Sequence, residues 1–404
     1  MPSIVEYPTV VQQAMQEFGE VFANEPERQH FAEYLTGLMI AERKNVSGIN
    51  REFVDPTDQS CLNRWLTQVE WDEKDLNDRR LKWLQRDPST RYSSRGVIAI
   101  DNTLIDHEGK FIEDVGWLWD HADQRYVIAH DYVISNYVCP SGAHYPIEWR
   151  RFRKREACAE GEFEDHTKLC IKLIDDAIER EIPGDFTFDS YFTSAGVLNH
   201  IEASGRAYVG DLKLNRKVAY LGIEQKLSEV AAQIPAEAKK PIKVGEKTYW
   251  YYSRRMRIPD VKHPVRILLF WKQKSDTQAS KALVTNRIAW EATRMLLVYR
   301  HRWTGTETFH RDAKQQLGMG ECQVRKSQGQ TRHMYLVCVA YSLLMRSLHQ
   351  KRAHSWARCK LTTIGQACRA VKAETLGQVI DWIVEKLTCQ NWSVTQIKFA
   401  FGVQ

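Results

Sequence analysis

Apolar residues recur at three- and four-residue spacing through the first ninety positions. The pattern predicts amphipathic helices over residues 10–22, 27–39, 60–69 and 72–86, with Phe31, Tyr34, Leu35, Leu38 and Met39 marking one buried face. Breaks are expected at residues 24–26, at 45–50 around Ser47-Gly48, and at 55–58 around Pro56. Asp87-Pro88 closes the last helix.

Near residue 95 the period changes. Residues 96–100 are a short apolar run that stops at Asp101, followed by Asn102-Thr103, and residues 126–135 and 145–151 read as strands with a turn at 121–125. Residues 166–180 form a helical pattern with Leu169, Leu173, Ile174, Ala177 and Ile178 on one side. After Pro183-Gly184, residues 185–188 make a second short strand that stops at Asp189, before a helix over 194–203 and a strand over 207–210. Such alternation implies an α/β layer with a partly parallel sheet. Residues 211–290 interrupt it: 247–257 and 264–272 are β-like, and Pro235, Pro241, Pro259 and Pro264 punctuate the stretch. From Trp290 the chain turns helical through Leu317, and again over 332–346 and 377–387. The expected organisation is therefore a helical N-terminal domain (1–90), an α/β core in two parts (91–210 and 291–350), a mainly β insertion (211–290) and a helical C-terminal region (351–404).

A chain of 404 residues, 43% hydrophobic and 27% charged, has room for two or three globular units. No apolar run approaches the ~18–20 residues of a membrane span, which excludes an integral membrane protein. The first residues lack a charged and then apolar leader pattern, so a cytoplasmic protein is expected. The nine cysteines contain no C-x-x-C pair and read as buried free thiols of a reducing compartment.

Net charge is only +6, but it is unevenly placed. Residues 1–100 carry 12 Lys/Arg against 16 Asp/Glu, whereas residues 206–275 carry 16 against 6 and residues 294–360 carry 13 against 3. Two basic blocks suit a polyanion, because clustered cations gain from counterion release, although one such block alone is equally a solvated face. The acidic first hundred residues weigh against a DNA-end-binding role for the helical N-terminal domain, and both readings stand.

The candidate chemistry is acidic. Asp101 and Asp189 each follow a strand of the same α/β layer, and residues at strand C-terminal ends line the functional crevice of such sheets. Glu307 lies on a helix within a strongly basic stretch. Taken singly, each Asp is also an ordinary turn or cap residue. Three converging carboxylates require protons or cations, and hard oxygen ligands favour Mg²⁺, with Mn²⁺ as substitute, over zinc. Asp106 precedes His-Glu-Gly and reads as a hairpin turn, while His107, His121, His130 and His144 show no ligand period and are expected at surface or turn positions.

Tyr299-x-x-Arg302, Glu307 and Lys314, together with Asp101 in Ala-Ile-Asp-Asn-Thr and Asp189 in Phe-Asp-Ser-Tyr-Phe, resemble the Y-R-E-K motif and acids of bacterial insertion-sequence transposases of the DDE class. The resemblance follows the whole chain in order. It implies an RNase H-like catalytic core in which Asp101, Asp189 and Glu307 hold two Mg²⁺ ions. It also implies double-stranded DNA as substrate, a homodimer on paired transposon ends, and phosphate contacts from Tyr299, Arg302 and Lys314, including support of a hairpin intermediate. A flipped base would need an aromatic platform, for which Trp250, Trp271 and Trp303 are candidates, and Arg254, Arg255 and Arg257 suit backbone contacts. One departure stands out: four residues separate Arg302 from Glu307, where the commonest form of the motif has three. The rival readings are an RNase H-like nuclease that does not join strands and a non-catalytic DNA-binding derivative.

Overall fold

The computed structural model describes residues 2–402 except 110, 351–353 and 358, so the boundary expected before residue 351 falls outside the described residues. The chain begins with helices α1 (Thr9–Phe18), α2 (Glu25–Ile40), α3 (Val46–Asn50), α4 (Gln59–Thr67) and α5 (Glu73–Leu84). Strands β1 (Val97–Asp106), β2 (Gly116–Asp120), β3 (Arg125–Val138) and β4 (His144–Phe152) come next. Helix α6 (His166–Glu179), β5 (Asp185–Phe188), α7 (Ala195–Ala203) and β6 (Tyr208–Asp211) then alternate. Residues 217–285 hold β7 (Lys217–Tyr220), β8 (Ile223–Lys226), α8 (Leu227–Ala232), β9 (Lys240–Val244), β10 (Lys247–Met256), β11 (Val265–Trp271) and β12 (Lys281–Thr285). The remainder is α9 (Ala292–Arg302), a π-helical turn (Trp303–Glu307), α10 (Thr308–Gln316), α11 (Ser327–His349), α12 (Ile364–Thr388) and α13 (Val394–Ala400).

These elements gather into two compact units. One comprises Met1–Arg91, Leu104–His130 and Phe309–Gln404; the other comprises Tyr92–Thr103 and Asp131–Thr308.

The first unit is largely helical. Its helices start where side chains satisfy free backbone N–H groups: Asn24 accepts from the Glu27 amide ahead of α2, and Asp72 accepts from Lys74 and Asp75 ahead of α5. The break expected at 45–50 is instead the short α3. The Asn45 side chain caps it at Gly48 N (2.8 Å), and a Cβ at Gly48 would lie 2.1 Å from the Arg43 carbonyl, so the turn closes only on glycine. Trp65 stacks on Trp71 (5.4 Å between centroids), and Phe22 packs against Phe31 (4.8 Å). Helix α11 runs through this core with Tyr34 Oη 3.0 Å from His333 Nδ1. Buried Arg332 donates to the carbonyls of Trp65, Leu66 and Trp71 and pairs with Glu73 at 3.6 Å, and buried Arg80 donates to Asn77 and the Ser342 hydroxyl, which offsets the cost of burying the two cations. The N-terminal helices and the C-terminal α11 thus share one core.

Two expectations are corrected here. His130 is fully buried rather than at the surface, in a chain from His107 Nε2 (2.9 Å) to the Glu113 carbonyl (2.9 Å). Asp106 is the last residue of β1, not a hairpin turn, and pairs with Arg125 at 3.3 Å. Strand β2, Gly-Trp-Leu-Trp-Asp, was not expected; it pairs antiparallel with Arg125–Ala129 of β3.

The second unit is built on a mixed sheet with the order β3-β1-β5-β6-β12-β11-β10-β9, β4 pairing with β3. β1, β5 and β6 are parallel, while β12, β11, β10 and β9 extend the sheet antiparallel. The parallel pairs arise because α6 and α7 return the chain between strands, as the alternating pattern requires. Strand β1 does not stop at Asp101 but continues to Asp106, because Asp101, Thr103 and Ile105 keep the alternation going on the inward face. Helix α9 covers one face: Val97, Val209 and Leu283 of the strands pack with Met295 and Val298. In this unit His144 is buried as well, on β4, with Nδ1 3.1 Å from the Gly142 carbonyl. Among the described residues no helix is long and apolar enough to cross a membrane. All nine cysteines are free, and Cys139, Cys170, Cys322, Cys338 and Cys368 are buried.

Candidate active site

Strand register decides where the acids go. Ile100 pairs with Phe188, and Phe188 with Gly210, so the next residues, Asp101, Asp189 and Asp211, come at the same level of three adjacent parallel strands. Because side chains alternate, Val97, Ala99 and Asp101 share one face of β1, and the other Asp residues follow the same rule on β5 and β6. That face is the one α9 covers. The two aspartates expected from the sequence therefore stand side by side, and a third, Asp211, was missed. A signal for it existed: Ala207-Tyr208-Val209-Gly210-Asp211 repeats the pattern of an apolar run ending in an acid.

Glu307 reaches the group through the π-turn. An ordinary helix brings residues four apart onto one face, whereas a π-turn, with its i→i+5 hydrogen bonding, does so for residues five apart. The extra residue between Arg302 and Glu307 is absorbed in this way, and the Arg302 Nη1 lies 2.7 Å from Asp101 Oδ2 and 3.5 Å from Glu307 Oε1. Gly305 makes the turn possible against the sheet: a Cβ there would come 2.8 Å from Val138 Cγ2 and 2.9 Å from Ala99 Cβ. Its neighbour Thr306 is fully buried, with its hydroxyl 3.2 Å from Asp101 Oδ2 and 2.9 Å from the Arg302 carbonyl. The sequence predicts one continuous helix here; the π-turn interrupts it.

Burial and the neighbouring Asp189 charge push Asp101 up to about 7, against the opposing pull of Arg302. Burial likewise raises Asp189, with the Tyr191 amide and Arg302 opposing. Burial disfavours the Arg302 cation, but Asp101, Tyr299 and Glu307 outweigh it and its pKa is raised. The site carries excess negative charge, with the Arg302 guanidinium bridging two of its carboxylates. As placed, these carboxylates do not close into a cage: among the described residues no group of three His, Cys, Asp or Glu side chains stands at metal-holding distance. The donor chemistry nevertheless fits a hard divalent cation, since neighbouring carboxylates, with Asp101 buried among them, gain from added positive charge.

Tyr299 does not point freely to solvent. Its hydroxyl lies 3.2 Å from Asp211 Oδ2 and 2.9 Å from Lys281 Nζ, and Lys281 itself is 3.0 Å from Asp211. Trp303 is exposed (61%), Trp250 is half-buried with Lys274 over its ring, and Trp271 is fully buried as a core residue. Trp271 therefore drops out as a base platform. Arg254 and Arg255 are exposed on β10, Arg254 beside the Tyr252 hydroxyl (3.3 Å), and Arg257 is exposed as well. In the other unit, Lys314 is exposed on α10 and donates to the Leu104 carbonyl at 2.7 Å.

Strands β1, β5 and β6 with flanking helices and a row of acids at one end define an RNase H-like nuclease core. Comparison with known families agrees. The family model described as DDE superfamily endonuclease matches residues 17–226, just over half of the chain, and that described as transposase DDE domain matches residues 165–343. The chain belongs to the DDE superfamily of endonucleases and is a DDE-class transposase by family. Nucleases of this class act on DNA and generally use divalent metal ions. No curated protein matches the chain.

Proposed function

We propose that this protein is a cut-and-paste DNA transposase that cleaves at the ends of an insertion sequence and joins the released 3′-hydroxyls to target DNA. Asp101, Asp189 and Glu307 are its metal-holding acids, and double-stranded transposon ends, paired by a homodimer, are its substrate. The observation that carries this reading is the alignment of Asp101 and Asp189 on one sheet face, with Glu307 brought to Asp101 through Arg302. Bound there, two Mg²⁺ ions would activate the attacking water or hydroxyl and stabilise the leaving oxygen. The chain's own groups do the rest: Thr306 and Arg302 orient Asp101, and the Tyr191 amide orients Asp189 (2.8 Å). Exposed Arg254, Arg255 and Lys314 supply backbone contacts, Tyr299 and Arg302 the contacts nearest the acids, and Trp250 or Trp303 a stacking surface for a hairpin end.

The test uses duplex element ends with labelled flanks in Mg²⁺, followed by addition of plasmid. Nicks, hairpins and covalently joined product are expected from the native protein. Asp101→Asn, Asp189→Asn and Glu307→Gln should each abolish cleavage while end binding persists. Cleavage without joined product would favour a plain nuclease, and cleavage by the triple variant would refute the assignment of the acids.

A further inference from the structure

Asp211, Lys281 and Tyr299 form a second polar cluster beside the acids. Asp211 is the last residue of β6 and pairs across the sheet with Leu283 of β12; Lys281 stands two residues earlier, on the same face. Its ammonium is held by the Asp211 carboxylate (3.0 Å) and the Tyr299 hydroxyl (2.9 Å), and lies 4.5 Å from the centre of the Tyr299 ring. An ammonium has three donors, and these two partners use two of them. The Lys281 side chain keeps 40% of its surface exposed, so the fixed charge still meets solvent.

Lys281 and Tyr299 also line a cavity of about 510 Å³ between α9 and strands β9–β12. Its floor is apolar, with Ile242, Phe270 and Leu283 buried beneath it. The charged residues on its wall are Lys243, Lys281 and Arg300, and among the described residues no acidic side chain lines it. A fixed cation at the acidic row, continuing into an apolar-floored cleft rimmed only by positive charge, matches a sugar–phosphate backbone: anionic phosphates over apolar sugar faces.

We propose that this cleft is a DNA-backbone subsite. Lys281 binds the phosphodiester next to the reacting one, Lys243 binds further along the same strand, and Asp211 is the residue that positions Lys281. The inference rests on the transposase reading for its substrate. Lys281 is a binding residue, and Asp211 acts through it.

The experiment measures binding of a fluorescent duplex end across a salt series, alongside cleavage at saturating DNA. Lys281→Ala and Lys243→Ala should each lower the slope of log affinity against log salt by about one and weaken binding several-fold, and Lys281→Arg should restore the slope. Asp211→Asn keeps the Lys281 charge but loosens its anchoring, so the slope should stay near native while affinity falls several-fold, a split that general loosening of the fold would not give. Circular dichroism and thermal melting verify folding; where Lys281→Ala fails to fold, Lys281→Arg against Lys243→Ala decides. Unchanged slopes in folded Lys281→Ala and Lys243→Ala overturn the subsite. A native protein that does not cleave, with the slope still reduced in the variants, refutes the transposase reading and leaves the subsite standing.

Discussion

Replacing Asp101 by Asn removes a negative charge from the most buried position of the acidic row while keeping nearly the same shape. In the metal-free folded protein, burial and Asp189 hold the Asp101 carboxyl at about 7, against 3.8 for the group in the open. The folded state therefore binds this proton more tightly than the unfolded chain. Its contribution to stability is complete below pH ~4, declines as pH rises from ~4 to ~7, and is gone above that. A gap of about three pKa units corresponds to a ceiling of about 4 kcal/mol. Asn mimics the protonated form and carries no such pH dependence. In chelator at pH 8, Asp101→Asn should melt several degrees above the native protein, and below pH ~4 the two should converge. Divalent cation should narrow the difference at pH 8 by stabilising only the native protein, since a ligand bound to the folded state alone raises stability by mass action. Thermal melts over a pH series, with EDTA and with Mg²⁺, provide the measurement. A native protein whose stability does not fall between pH 4 and 7, or a variant no more stable at pH 8 in EDTA, would refute the charge argument.

Two further substitutions probe the neighbourhood. Gly305→Ala forces a methyl into contact with Val138 and Ala99; it should cost about 1–3 kcal/mol in denaturant unfolding and depress cleavage by displacing Thr306 and Glu307. Trp303→Ala changes an exposed side chain, so stability should move by less than about 0.5 kcal/mol, whereas affinity for a strained DNA end should fall by ~1–3 kcal/mol when the ring stacks on a base. Equal affinity of that variant for intact and distorted ends would remove Trp303 as the platform.

Local pattern made the elements legible. β5 falls on 185–188 as the apolar run indicated, α6 begins at His166, and Asp165 and Ser194 cap α6 and α7 through the Lys168 and Val197 amides. These features depend on neighbours within a turn or a strand, which the sequence displays directly. Asp101 and Asp189 were legible for a similar reason: an apolar run ending in an acid, twice.

Other features depend on partners distant in the chain. β1 continues past Asp101 because its later residues keep an inward-facing alternation, and β2 exists because β3 offers it an edge. His130 looked like a surface residue until His107 and the Glu113 carbonyl supplied its hydrogen bonds. The five-residue interval from Arg302 to Glu307 is a mere spacing in sequence; it becomes a π-turn because Gly305 must fit against Ala99 and Val138, over 160 residues earlier. Asp211, Lys281 and Tyr299 likewise meet only when β6, β12 and α9 pack together. Which residues carry charge and which segments bury an apolar face can be read along the chain, since both are properties of side chains and short periods. Which charges share a face follows from strand register and helix packing, which bring together groups that are far apart along the chain.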